Sequence, residues 1–463
     1  MENKKIVNIS KNTFISVVII LFVLILMSIG LTYLIPKGIM IDNNYQVIED
    51  ANGIAIWKGL LSTFLVLGSS DGVTLIVLCV FLTIVTGVFQ VLTDTNGIGM
   101  IVNKLIKKFE NKKKLLISII VLVFMCFGSF FGLYEETLAL LPLIITITIS
   151  LGYDSYTAFL ICTIATGFGF SVAMTNPFTI IVACELIGAS VVKGMWFRVL
   201  TLIIVYLLLL GFVFLHIRKI EKNKEKVTEN LINSNNDVLV PNEITYDNKI
   251  FYSNLIFLLS ILFTIIVFTL IPALSGYTVV GLIIVFLFGG LIVGNINAKG
   301  DFKTVLVSFK KGIVSVLPAI LLVLMASSIK YILVEGQIID TITNYMIEAT
   351  ANKPTIMAIF VILVLVLILE FFISSSTAKA IIVMGVLGGL IGNINVSKEL
   401  LVLIYTYGDG FTNTLFPTSP VLLIALSLTG MSYFKWLKKS SILFIILSVL
   451  VIGFLLCAYL INY

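Results

Sequence analysis

The chain has 463 residues, of which 59% are hydrophobic and only 12% charged, with a formal net charge of +6. A water-soluble fold of this length needs a far more charged surface, so the composition places the chain in the membrane class. The basic excess clusters at the ends of apolar runs, which argues against nucleic acid as a partner.

Lys4, Lys5 and Lys11 precede the first apolar run, 14–35, and predict a cytoplasmic N-terminus, since basic residues stay on the inner side. That run is too long for a signal-peptide core and lacks a small-residue cleavage site, so it reads as a retained span. Run 73–92 returns. The loop between them carries Asp42, Glu49, Asp50 and Asp71 against Lys37 and Lys58, as an outer loop should. Lys104, Lys107, Lys108 and the lysines at 112–114 then mark the inner side, on an amphipathic interfacial helix.

Run 115–126 is apolar but, at roughly 18 Å as a helix, too short to cross a core of about 30 Å. It meets GSFFGLYEET (128–137) and a second apolar stretch, 138–151. Two full spans would leave Glu135 and Glu136 in an outer loop. A re-entrant hairpin over 115–151 places them near the midplane, and the short leg favours it. A broken helix, 156–189, goes out and 199–215 returns. The polar stretch 216–249, rich in Lys, Arg and Asn, is a solvated linker between two halves.

In the second half a connector span, 250–271, goes out, 279–293 comes back and 313–333 goes out again. An amphipathic piece, 337–348, precedes a second hairpin, 356–391, with the polar tip FFISSSTAKA. A broken helix, 400–428, leads to the last span, 442–460, and an outer C-terminus. The order of elements in 1–215 thus recurs over 272–463 with opposite orientation. The expected fold is an all-α polytopic membrane protein of two inverted repeats, with about nine spans, two re-entrant helical hairpins and two broken helices.

The two breaks match. GFGFSVAMTNPFT (167–179) and GDGFTNTLFPTSP (408–420) each put Gly-x-Gly-Phe, a hydroxyl residue, Asn and Pro inside an apolar helix. Pro177 and Pro417 remove an N–H and clash with the preceding turn. The freed carbonyls, with Thr175, Asn176, Thr412, Asn413 and Thr418, make an oxygen-rich setting for a coupling ion such as Na⁺. Half-helix N-termini suit a substrate carboxylate.

Glu135, Glu136, Glu370, Lys379 and Asp409 fall inside apolar stretches, where each costs about 2.5–3.5 kcal/mol if it faces lipid. They therefore form an internal ion pair, such as Lys379 with Glu370 or Asp409, neutralise, or line a substrate or ion path. Ser129, Tyr134, Glu135, Glu136 and Thr137 form a first tip suited to a cation. Ser374, Ser375, Ser376, Thr377 and Lys379 form a second tip suited to a carboxylate or to Na⁺, although Lys379 equally suits a tethered replacement for a coupling cation. With Asn176, Pro177, Asp409, Asn413 and Thr418, these are the candidate substrate contacts. Glu136, Thr175, Asn176, Asp409, Thr412 and Asn413 are the candidates for coupling Na⁺ or H⁺. No other cofactor and no resident metal is expected. The five cysteines lie in apolar runs without Cys-x-x-Cys spacing and read as packing residues.

GLYEETLALLPLIITITISLGYDS, MTNPFT, the Phe197–Val199 triplet FRV, SSSTAKA and YGDGFTN…PTSPVL together resemble the YfcC family of the ion-transporter superfamily, over nearly the whole chain. That resemblance implies a bacterial cytoplasmic-membrane carrier, commonly dimeric, with an elevator-type transport domain. Members are described both as basic amino-acid (arginine/ornithine) antiporters and as anaerobic dicarboxylate carriers. Related tips usually read Ser-Gly-Ser-Gly-Gln-Ala, where this chain has Ser375-Ser376-Thr377-Ala378-Lys379-Ala380. The expected function is exchange of basic amino acids. The alternative is a dicarboxylate or short-peptide carrier coupled to Na⁺ or H⁺. An intramembrane enzyme is not expected: Thr406 precedes Tyr407-Gly408-Asp409 where an intramembrane aspartyl protease needs Gly.

Overall fold

The computed structural model describes residues 11–463 except 42–43, 49–52, 71, 110–111, 223–246, 272–273, 275–276, 351–352, 374 and 389–395. Expectations that fall on Lys4, Lys5, Asp42, Glu49, Asp50, Asp71, most of the linker, Ser374 and the end of the second hairpin lie outside these residues.

The described residues are almost wholly helical, as the composition requires: without water, backbone N–H and C=O groups must pair within the segment. In the first half the helices are α1 (Lys11–Leu34), α2 (Ile56–Leu60), α3 (Ser62–Leu65), α4 (Gly72–Asp94), α5 (Gly97–Phe109), α6 (Lys113–Cys126), α7 (Leu141–Ser150), α8 (Ser155–Phe159), α9 (Ala165–Ser171), α10 (Val182–Ile187) and α11 (Met195–Lys222). After α12 (Asn248–Leu270) come α13 (Thr278–Ile284), α14 (Gly290–Asn297), α15 (Phe302–Glu335), α16 (Ile339–Thr350), α17 (Thr355–Phe372), α18 (Ser376–Gly388), α19 (Lys398–Thr412), α20 (Pro420–Leu428) and α21 (Tyr433–Leu460). Short π-helical stretches join α8 to α9 and α13 to α14 into continuous rods.

A small hairpin, β1 (Gly38–Ile41) and β2 (Asn44–Val47), interrupts the helices after α1. The Tyr45 hydroxyl donates to Thr341 Oγ1 at 2.9 Å, and Thr341 donates to the Pro36 carbonyl at 2.8 Å. The amphipathic α16 of the second half therefore anchors the loop of the first.

Nine helices among the described residues are long and apolar enough to cross a membrane. Seven of them are spans expected from the sequence, and two are not. The first legs of both hairpin regions qualify, as Lys113–Phe131 and Thr355–Phe372, while both broken helices drop out because their halves are too short. The first leg outruns 115–126 because a π-helical turn, Phe127–Phe131, carries it to Gly132. Gly132 stops it in the left-handed region at φ 68°, which costs a glycine nothing.

The helices pack in two groups. In one, α4 and α15 lie along each other, flanked by α1, α13 and α14. A polar clamp holds that pair: Asp94 accepts from Gln90 at 2.8 Å and Ser308 at 2.9 Å, with the Lys311 ammonium 3.7 Å away. In the other group, α6, α9, α10, α17, α18 and α19 pack together with α11 and α21 outside them. Large apolar side chains such as Ile19, Phe22, Leu207, Phe263 and Val449 point outward. Water would penalise so much exposed apolar surface, whereas lipid chains accept it.

The turn between α7 and α8 shows how the second group is pinned at one end. Asp154 caps α8, accepting from the Thr157 N–H at 2.9 Å and its hydroxyl at 2.7 Å, and meets His216 Nε2 of α11 at 3.1 Å. Burial alone would push this carboxyl up, but His216 and Thr157 outweigh that and hold it at about 2. A depressed folded-state value stabilises above the ordinary carboxylate range and is lost as pH falls towards 2. Asp154→Ala should cost about 1–2 kcal/mol of thermal stability in detergent at neutral pH. The deficit should shrink in strong acid, and an equal deficit throughout would dismiss the clamp.

Candidate functional site

Both matching motifs do break their helices. After Ser171 the chain unwinds over 172–176. Asn176 then caps the outgoing half, its Oδ1 accepting the Phe178 N–H at 2.9 Å, with Pro177 as the first helical residue. After Thr412 it unwinds over 413–419, and Ser419 caps α20 with Pro420 first. The proline equivalent to Pro177 is thus Pro420. Pro417 lies within the unwound stretch. A first-turn proline lacks an N–H that the helix does not need there, which explains both placements.

The breaks lie against each other. A Cβ on Gly410 would stand 2.3 Å from Ser171 Cα, and one on Gly167 would stand 2.2 Å from the Thr414 methyl. Phe168 packs edge-on against Phe411, with ring centroids 5.6 Å apart. The first hairpin supplies partners for the opened backbone. Ser129 donates its hydroxyl to the Val172 carbonyl, while its own carbonyl accepts the Met174 N–H at 2.8 Å. Thr175 donates to the Phe130 carbonyl at 2.9 Å. Buried Arg198 of α11 reaches the Ala173 and Val191 carbonyls from the other side.

A cavity of about 320 Å³ opens where the two helix groups face each other. The first tip contributes Tyr134, Glu135 and Glu136, and the second contributes Ser375, Ser376 and Thr377. Asn413, Ser419 and Phe178 come from the breaks, and Thr74, Ser327 and Lys330 from α4 and α15. The Tyr134 hydroxyl donates to the Asn413 carbonyl at 3.3 Å, and Thr377 donates to the Phe178 carbonyl at 3.3 Å. Each tip is therefore tied to the break of the opposite half. The volume suits a small metabolite, near the lower end of typical ligand pockets.

The remaining candidates stand behind this lining. Ser129, Thr175 and Asn176 satisfy backbone around the first break, and Pro177 starts the half-helix there. Thr137 donates to the Tyr134 carbonyl at 2.8 Å and shapes the tip. Thr412 donates to the Gly408 carbonyl at 2.7 Å, within its own helix, and Thr418 is buried in the second unwound stretch.

Lys379 and Asp409 do not line the cavity either. The Lys379 ammonium, fully buried, pairs with Glu370 of α17 and with Asp409 of α19, the latter at 2.6 Å. Ser376 donates to the other Asp409 oxygen at 2.8 Å, and the Tyr405 hydroxyl donates to the Ser376 carbonyl. Three buried charges thus satisfy one another at the base of the second tip, where any one left alone would be costly. Ser376 is the only member of this cluster that also reaches the cavity.

Two charged residues escaped the sequence reading. Lys330 stands close to the end of its apolar run, where a lysine ordinarily snorkels to the interface, yet it lines the cavity. Arg198 belongs to the FRV triplet, and its use on backbone carbonyls leaves no periodicity to detect.

The sequence has relatives. The family model for DcuC, the C4-dicarboxylate anaerobic carrier, matches residues 14–460. The putative basic amino acid antiporter YfcC of Escherichia coli K12 is 26% identical over 418 residues, covering 85% of this chain and 80% of its own. An uncharacterized Haemophilus influenzae protein is 22% identical over 416 residues, covering 87% and 78%. Among solved structures, the Alcanivorax borkumensis YdaH transporter aligns over 94% of this chain and 97% of its own, at 15% identity and a TM-score of 0.43. With a family model matched over nearly its whole length and helices that cross a membrane repeatedly, the chain belongs to the DcuC family of transporters, as a multi-pass membrane carrier of small molecules.

Proposed function

We propose that this carrier exchanges basic amino acids, arginine and ornithine above all, across the bacterial cytoplasmic membrane. The observation that carries the reading is the charge of the cavity: two carboxylates, Glu135 and Glu136, and one ammonium, Lys330. A basic amino acid presents the complement, two cationic groups and one carboxylate. Glu136 and Glu135 read the side-chain cation and the α-ammonium. Lys330, the hydroxyls of Ser375, Ser376 and Thr377, and the N-terminus of α20 receive the carboxylate. The name of the YfcC relative points the same way.

The wider reading has two inverted repeats, 1–215 and 272–463, joined by 216–249 and the connector 250–271. The hairpin-and-break group moves against the frame, the group built on α4 and α15, in an elevator-type alternating access, in a homodimer with its N-terminus inside and its C-terminus outside. Recurrence of the element order on either side of α12 supports the repeats.

The family description favours a second substrate class, C4-dicarboxylates. A dianion would need a surplus of positive charge, and the cavity has the opposite balance, since Lys379 is spent on Glu370 and Asp409. A competition panel in proteoliposomes separates the readings, with arginine, ornithine, lysine, succinate, malate and dipeptides against labelled arginine. Basic amino acids should compete at least ten times better than succinate. Succinate or malate competing better than arginine would transfer the assignment to the dicarboxylate.

A further inference from the structure

We infer that Lys379 is a tethered cation, filling a cation site formed by Glu370, Asp409 and Ser376, so that transport needs no Na⁺. The inference deepens the exchanger reading and rests on it for what the site does during transport.

Glu370, Lys379 and Asp409 come from three separate elements, α17, α18 and α19, all in the hairpin-and-break group, and none of them lies on the frame. Their charged groups converge on one point. The ammonium contacts one oxygen of each carboxylate, while the second Asp409 oxygen accepts from Ser376. Remove the ammonium, and two carboxylate oxygens remain aimed at a vacated volume, with the Ser376 hydroxyl beside them. Hard oxygen donors of that kind around a buried point suit a small monovalent cation. Lys379, Asp409 and Glu370 are buried, and only Ser376 touches the cavity.

A functional consequence follows from the covalent tether. A diffusible ion must enter and leave in each cycle and so couples substrate flux to its gradient. A lysine does neither, and its charge stays with the group that carries it. Reorientation then depends on what fills the cavity, where the two glutamates leave a net negative lining. A loaded cavity is better compensated than an empty one, which favours exchange over net flux.

The test begins without substrate. Purified full-length protein is unfolded thermally in detergent in NaCl, KCl and choline chloride at equal ionic strength. The natural protein should show the same midpoint in all three, within about 1 °C. Lys379→Ala should unfold lower in choline and recover by about 5 °C or more in NaCl, because Na⁺ then binds the folded state alone. Stabilisation of the natural protein by Na⁺ overturns the inference, as does a Lys379→Ala protein indifferent to the cation. If Lys379→Ala does not fold, the decision passes to transport by the natural protein in proteoliposomes. Replacing Na⁺ by choline should change the flux of whichever substrate it carries by less than about two-fold, and Na⁺ stimulation beyond about five-fold rejects the tethered cation. Failure of arginine to exchange would strike the substrate assignment and leave the thermal result standing.

Discussion

Glu136→Gln should reduce arginine–ornithine exchange by roughly 30-fold to more than a thousandfold while the protein remains folded and inserted. Glu136 is buried and lines the cavity beside Glu135, on the short helical turn Glu136–Ala139. In a site so shielded from water, removing one partner of a charged contact costs about 2–5 kcal/mol, and each 1.4 kcal/mol is about tenfold in affinity. Glutamine keeps the shape of the side chain and one accepting oxygen while removing the charge, so a loss is assigned chiefly to charge. Glu135→Gln should cost less, since Glu135 is only half-buried. Exchange assays at saturating and limiting arginine separate the two effects: the loss should fall mainly on apparent affinity. Unchanged kinetics in both variants would remove the first tip from the site.

Gly410→Ala should cut transport at least about tenfold by spoiling the contact between the breaks. The added Cβ would stand 2.3 Å from Ser171 Cα, a backbone atom that no rotamer change can move aside. Overpacking of this kind costs about 1–3 kcal/mol, occasionally more, and here the backbone must shift where the cavity wall is built. Gly169→Ala should behave alike, with its Cβ 2.0 Å from the Met125 carbonyl oxygen of the hairpin leg. Gly453→Ala is the control, because nothing lies within 4 Å of its Cβ position. Flux normalised to inserted protein should fall at least tenfold in the first two and hold in the third. Full activity of Gly410→Ala would show that the breaks do not need their close approach.

Much of this was legible in the sequence for simple physical reasons. Hydropathy and lysine placement locate the long helices, because lipid tolerates little else. Gly, Asn and Pro in the middle of apolar runs locate both breaks, because those residues end helices wherever they stand. Three things were hidden. The first hairpin leg reaches Phe131 through a π-helical turn, which no 3.6-residue periodicity registers. Lys330 lies near the end of its run, where a cavity-lining lysine and a snorkelling one look the same. The partition of the charges was the largest gap. Glu135, Glu136, Lys379 and Asp409 all stand out as ionisable residues at membrane depth. Only the packing of α17, α18 and α19 shows that Lys379 and Asp409 are paired with Glu370 behind the wall, while the two glutamates of the first tip face the cavity. The matching breaks supply a nearly symmetric frame, and Phe168 opposite Asp409 marks where its symmetry ends: one packs on Phe411, and the other anchors an ammonium.

Counterflow tests the assignment most directly. Proteoliposomes loaded with ornithine and placed in a trace of labelled arginine should accumulate label transiently. Vesicles loaded with succinate, or empty, should not. Accumulation driven by internal succinate but not by ornithine would contradict the reading of the cavity as a site for a dication with one carboxylate.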